Sequence, residues 1–228
     1  MTQMKIIFDI ETVGNDIDSF DQATQEYLLK YAKTGEEEQL VKDSLSFYPN
    51  TARIVTIAML EAESEKAFVY YQIPDKPPQK LIENSAEYIS ASNEKQLLEL
   101  FWAKIKEYDQ FITFNGRAFD CPFIMVRSAI NRLKASKNLM PDRYRSNVSI
   151  DLMEKLTFLG AVRKKFSLHM WCNTFGIKSP KDEGVTGLDV KDLFKEAKYL
   201  DIARYCLRDV VATKELYQYW DKYINGST

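Results

Sequence analysis

Residues 4–12 read Met4-Lys5-Ile6-Ile7-Phe8-Asp9-Ile10-Glu11-Thr12, an apolar run that closes on two acids. A short run rich in Ile and Phe favours a buried β-strand. Side chains two apart on a strand share a face, so Asp9 and Glu11 project the same way. Such acids can cap a strand end, but burying them is costly unless they are paired or hold a cation. Two remote segments carry further acids that a fold can bring to the same point. Asp120 follows a strand-like Phe111-Ile112-Thr113-Phe114 and a turn at Asn115-Gly116. Tyr205 and Asp209 are four apart in a helical stretch, which stacks them on one side of that helix. An acidic cluster built this way suits hydrolysis assisted by divalent metal ions.

The chain has 228 residues, 45% of them hydrophobic, which is enough to fill the core of one α/β domain. No apolar run approaches the ~18 residues needed to cross a bilayer. Acids inside the N-terminal apolar stretch do not suit a secretory signal. Cys121, Cys172 and Cys206 are odd in number and form no paired metal motif. The expectation is a cytoplasmic protein, away from membranes, with reduced and buried thiols. Net charge is −2, yet residues 127–181 hold 12 Lys/Arg against three acids, a local balance of +9. That segment is either a track for a phosphate backbone or a solvated loop-and-helix surface.

After the first strand comes a polar insertion, residues 14–50. Ser19 with Gln22 three later resembles a capping box, and Tyr27, Leu28 and Tyr31 continue a helical stripe. Residues 53–60 and 67–73 read as strands, and the prolines of residues 74–78 forbid regular structure. A helix is predicted over residues 93–107, a strand over 111–114 and a helix over 119–133. Ile150-Asp151-Leu152 reads as the opening of another helix. Ser167 starts a helical pattern that closes near Gly176, and helix continues from beyond the Gly184–Gly187 loop to Tyr223. Strands early and helices late, with no linker or repeat, predict one three-layer α/β domain over residues 1–228.

Three motifs occur in order: Phe8-Asp9-Ile10-Glu11-Thr12, the run Asn115-Gly116-Arg117-Ala118-Phe119-Asp120 with Cys121-Pro122-Phe123-Ile124, and Tyr205-Cys206-Leu207-Arg208-Asp209. Together they resemble the DEDD (DnaQ-like) 3′–5′ exonuclease superfamily, in its tyrosine (DEDDy) branch. The chain is similar to stand-alone bacterial exonucleases related to the proofreading domain of family B DNA polymerases. The resemblance implies an RNase H-like three-layer fold with a mixed central sheet. It also implies two divalent metal ions, Mg²⁺ or Mn²⁺, held by Asp9, Glu11, Asp120 and Asp209. Asp9 would bridge both, Glu11 and Asp209 would complete the site on the nucleophile's side, and Asp120 would serve the second. Tyr205 would orient the attacking water, since tyrosine titrates near pH 10 and is no strong base. The insertion over residues 14–50 is longer than a hairpin. No polymerase sequence follows within these residues, so proofreading in cis is not expected of this polypeptide.

For each residue a plainer reading stands alongside. Asp120 also suits the first turn of a helix, and Tyr205 a core packing position. His169, the one histidine, reads as a structural helix residue, because Arg204 stands where the histidine branch has its histidine. By resemblance Asn115 and Phe119 lie near the terminal nucleotide, although Phe119 equally suits helix-start packing. The resemblance also implies that Thr12 would meet the 3′ end through backbone or side chain. Arg163, Lys164 and Lys165 either hold phosphates or are a solvated triplet. The expected substrate is a single-stranded nucleic-acid 3′ end, DNA ahead of RNA, with a polymerase or repair partner in trans as a further expectation. A non-catalytic nucleic-acid-binding module is the alternative class.

Overall fold

Alternation along β1 (Lys5–Gly14) sets the architecture. Ile6, Phe8 and Ile10 pack into one core, beneath α3 (Glu94–Ile105) and α4 (Asp120–Ile130), with Leu97, Leu98, Phe101, Phe123 and Ile124. Ile7 enters a second core on the opposite face, with Ala203, Cys206, Val210 and Leu216 of α8 (Tyr199–Tyr223). Odd-numbered residues of β1 therefore face α8, which directs Asp9 and Glu11 toward that helix. The computed structural model describes residues 3–226 other than Val185 and Leu188.

The remaining strands are β2 (Ala52–Glu61), β3 (Ala67–Gln72), β4 (Lys80–Glu83), β5 (Ala86–Ala91), β6 (Gln110–Thr113) and β7 (Ser149–Asp151). They form a seven-stranded mixed sheet in the order β4-β5-β3-β2-β1-β6-β7. β1 pairs antiparallel with β2 and parallel with β6, and β6 pairs parallel with β7. The register of β1 on β2 slips once: Glu11 faces Thr56, but Thr12 faces Ile54. The extra residue, Val55, turns into a third small core with Val13, Val190, Phe194, Ile202 and Tyr205. Bulges of this kind re-aim side chains, and this one falls beside the acidic strand end.

Beyond the sheet lie α1 (Gln22–Leu29), α2 (Gly35–Ser44), α5 (Leu152–Leu156), α6 (Leu168–Phe175) and α7 (Val190–Lys195). Three side chains tether α8 to the sheet. Lys5 Nζ donates to the Tyr217 hydroxyl at 2.9 Å, Lys214 Nζ to the Ser64 carbonyl at 2.6 Å, and Arg204 to both Glu83 oxygens at 3.1 and 2.7 Å. Among the described residues no helix is long and apolar enough to cross a membrane.

Several elements depart from the sequence reading. Ser19 does not cap α1; its hydroxyl donates to the Asp16 carbonyl, and Asp21 caps the helix by accepting from Thr24 N–H. The capping box forms instead at Thr34 and Glu37. The Tyr27–Tyr31 stripe faces solvent, with Tyr27 and Tyr31 exposed and no residue of α1 buried. β4 and β5 were not anticipated, because mixed polar sequences such as Lys80-Leu81-Ile82-Glu83 alternate too weakly to be read as strands. Ser149 to Asp151 is a short strand beside β6, and the expected helix opens directly after it as α5, with Asp151 as its N-cap. The final helical run breaks at Ala197, whose φ is 58°, so α7 and α8 are separate. Gly184 and Gly187 lie outside regular helix, although Val185 and Leu188 between and beside them are outside the described residues.

Candidate active site

Four acids from three remote segments converge where β1, α4 and α8 meet. Glu11 and Asp120 are buried, and Asp9 and Asp209 are half-buried. Asp120 opens α4, and its Oδ1 accepts the Ile10 backbone N–H at 3.0 Å, which locks it against β1 between Asp9 and Glu11. From α8, the Cys206 thiol donates to the Asp9 carbonyl at 3.5 Å and contacts its carboxylate at 3.7 Å. The Tyr205 hydroxyl lies close to the Asp209 carboxylate, one helical turn along the same face.

The loop that delivers Asp120 is held by a residue the sequence reading used only as a helix start. Asp151, at the end of β7, accepts the backbone N–H groups of Asn115 and Arg117, each at 2.9 Å. The same carboxylate caps α5 through the Met153 N–H at 2.9 Å. Asn115 lies at φ 63°, in the left-handed region that asparagine tolerates. Gly116 admits no side chain: an added Cβ would sit 2.3 Å from Thr113 Oγ1. The turn thus needs Asn-Gly for conformational and packing reasons, apart from any contact with substrate.

Burial, together with mutual proximity, shifts the acids strongly. Burial first, then the charges of Asp120, Asp209 and Glu11, pushes Asp9 well above the usual carboxylate range. Burial, then Asp209 and Asp120, does the same to Glu11. Burial carries Asp120 up to about 7 against the pull of its backbone hydrogen bonds. Asp209 rises to about 6 through burial, restrained by the Tyr205 hydroxyl, Arg208 and Lys181. Lys181 and Arg208 are thus cations whose charge reaches Asp209. Burial and the neighbouring carboxylates raise Tyr205 far above its ordinary value, so it stays protonated.

These shifts set a sign for stability. A carboxylate raised in the folded state binds protons that the unfolded chain has released. Its contribution is complete below the unfolded value of about 4 and is lost as pH rises through the folded value. In chelator the melting temperature should fall between pH 5 and pH 8, through the range where Asp209 and Asp120 titrate. Mg²⁺ should raise it more at pH 8 than at pH 5. A metal-free melting temperature that is flat or rising over that interval would contradict this arrangement of the acids.

The donor set fits hard cations. One ligand atom each from Asp9, Glu11 and Cys206 lies within 4.8 Å of the others. The Cys206 thiol is buried and pushed well above its usual value, so it serves as a hydrogen-bond donor rather than a thiolate ligand. That leaves carboxylate oxygens, which suit Mg²⁺ or Mn²⁺.

The expected substrate contacts divide. Asn115 and Phe119 lie on the loop beside Asp120, with Phe119 partly packed on the core and its ring 5.3 Å from that of Phe123. The Thr12 hydroxyl donates to the Ser46 carbonyl at 2.7 Å and so ties β1 to the insertion. Arg163, Lys164 and Lys165 are exposed, and no described contact links them to the acids; Lys164 lies over the Phe166 ring at 5.0 Å. Other cations of the basic segment are engaged in the fold: Arg127 with Glu94 at 2.6 Å, Arg143 with Glu154, and Lys137 with the Tyr108 carbonyl. His169 bonds Ser179 and Asn173, in keeping with a structural residue. A cavity of about 350 Å³ beside α8, lined in part by Tyr88, Arg204, Leu207 and Val211, contains none of the four acids.

Residues 46–225 match the family model of predicted 3′–5′ exonucleases related to the exonuclease domain of PolB. The chain belongs to this family. The match covers Asp120, Tyr205 and Asp209, and β1 with Asp9 and Glu11 precedes it. The fold is that of a polymerase exonuclease domain, an RNase H-like mixed sheet flanked by helices. It is similar to the family B DNA polymerase of the hyperthermophilic archaeon Pyrobaculum calidifontis, with a TM-score of 0.60 at 15% identity. The alignment covers 96% of this chain and 25% of that polymerase, so the chain spans about a quarter of its length. No curated protein matches the sequence.

Proposed function

We propose that this exonuclease-family chain removes nucleotides from the 3′ end of single-stranded DNA by a two-metal mechanism of the DEDDy type, releasing nucleoside 5′-monophosphates. The observation that supports this reading most is the convergence of Asp9, Glu11, Asp120 and Asp209 around one point, beside the Tyr205 hydroxyl. Asp9, Glu11 and Asp209 would hold one Mg²⁺ or Mn²⁺, and Asp9 with Asp120 a second. Bound there, the ions activate water and stabilise the leaving oxygen of a phosphodiester.

The chain's own groups supply orientation. The Tyr205 hydroxyl, one helical turn from Asp209 and close to its carboxylate, would bond the attacking water and aim it. Burial keeps that phenol neutral, so Tyr205 positions the water and does not take its proton. The Ile10 N–H fixes Asp120, and the Cys206 thiol steadies Asp9. Asn115 and Phe119, on the loop that Asp151 holds, are proposed to receive the terminal nucleotide, Phe119 by stacking on a base. Thr12 is proposed to contact the 3′ end through its backbone, since its hydroxyl is engaged with Ser46. We regard residues 1–228 as one cytoplasmic exonuclease domain that can act with a polymerase or repair partner in trans.

The test is digestion of end-labelled single-stranded DNA, duplex, mismatched duplex and RNA with Mg²⁺. We expect fastest loss of nucleotides from single-stranded DNA, with 5′-monophosphates as product. Preferential degradation of RNA would shift the assignment to RNA processing. Binding without degradation of any polymer would leave a non-catalytic module.

A further inference from the structure

Past the acids, β1 ends at a second polar recess. A pocket of about 230 Å³ is lined by Val13, Gly14, Asn15, Asp16, Ser19, Arg53, Lys191, Phe194 and Lys195, and three of these are cations. Val13 lies two residues beyond Glu11 on the same strand, roughly 7 Å along it. The far wall is α7, whose Phe194 shares the third core with Val13 and Tyr205. The pocket is thus built on the strand and core that position the acids.

Its cations are available and partly pre-ordered. Among the described residues Arg53, Lys191 and Lys195 form no ion pair. Arg53 is held in place by neutral groups: it donates to Asn15 Oδ1 at 3.2 Å and lies over the Phe194 ring at 5.2 Å. A guanidinium fixed this way loses little freedom on meeting an anion and keeps donors to spare. The one carboxylate in the lining, Asp16, is exposed at the rim. Three cations against one acid, in a recess of several water volumes, suit a tetrahedral oxyanion.

We infer that Arg53, Lys191 and Lys195 form a phosphate subsite, which holds a backbone phosphodiester of the single strand leading away from the scissile bond. The inference rests on the nuclease reading above, and it gives the strand its path along β1 to α7. It also assigns backbone contact to residues outside the basic segment 127–181.

The experiment measures binding of a fluorescent single-stranded oligonucleotide in chelator, as a function of salt, alongside nucleotide release by the parent chain in Mg²⁺. Each cation withdrawn from the phosphates should flatten the plot of log affinity against log salt by about 0.7, so Arg53→Gln with Lys191→Gln and Lys195→Gln should flatten it by about 2. Lys191→Gln with Lys195→Gln alone keeps Arg53 on Phe194 and should flatten it by about 1.4. Asp16→Asn should tighten binding, a direction that damage to the fold would not give. An unchanged slope in both cation variants overturns the subsite. So does flattening by neutralising Arg163, Lys164 and Lys165 with none from the pocket. The two readings separate cleanly: flattened binding with no nucleotide release by the parent keeps the subsite and removes the nuclease assignment, whereas release with unchanged slopes does the reverse.

Discussion

Asp9→Asn should reduce phosphodiester cleavage by at least ~10³-fold and, in the same preparation, raise the melting temperature of the metal-free protein at pH 8. The two effects have one cause. Asp9 sits against Asp120, Asp209 and Glu11, whose charges, after burial, are what raise its pKa. Asparagine nearly matches the volume of aspartate and keeps an acceptor for the Cys206 thiol, so packing is little disturbed. Removing one of four crowded charges relieves repulsion in the folded state, while the proposed bridge between two cations is lost. Stability gained with activity lost is the behaviour expected of a strained functional cluster. Thermal melts in chelator and timed digestion of labelled DNA check both halves. A variant that loses stability and activity together would make Asp9 a structural residue.

Asp209→Ala and Tyr205→Phe should separate holding the cations from aiming the water. Asp209→Ala removes a proposed ligand and should lower single-turnover cleavage by ~10³-fold or more, with weaker response to added metal. Tyr205→Phe keeps the ring within the core formed with Val13, Phe194 and Ile202 but deletes the hydroxyl beside Asp209. Its cost in stability should be small, about 1 kcal/mol or less. Cleavage should fall by about 10²-fold, with the metal titration midpoint little changed. Single-turnover rates across a metal titration distinguish the two variants. Parental cleavage by Tyr205→Phe would reduce the Tyr205–Asp209 spacing to core packing beside a ligand.

The shared face of Asp9 and Glu11, and that of Tyr205 and Asp209, are legible in the sequence because period-2 and i, i+4 spacing are local rules that β1 and α8 obey. Ile6, Phe8 and Ile10 alternating with Ile7, Asp9 and Glu11 gave the two faces of β1, and long apolar stripes gave α3 and α4. The features that spacing does not reveal depend on contacts remote in sequence. Asp151 looked like the start of a helix, yet its carboxylate spans 36 residues to hold the Asn115 loop; only the pairing of β6 with β7 makes that possible. Arg53 lies inside a strand and Lys191 and Lys195 inside a helical run, and their shared pocket leaves no trace in spacing. The +9 count of residues 127–181 also hides a pairing remote in sequence: Glu94, outside that segment, neutralises Arg127.

The nuclease assignment meets its sharpest test in one rapid-mixing experiment. The chain is mixed with 5′-end-labelled single-stranded DNA in chelator, and excess Mg²⁺ is then added. No shortening should precede the metal, and afterwards the label should run through a ladder losing one nucleotide at a time from the 3′ end. Cleavage in chelator, or Mg²⁺-dependent cuts that start inside the strand or release the 5′ label first, would contradict it.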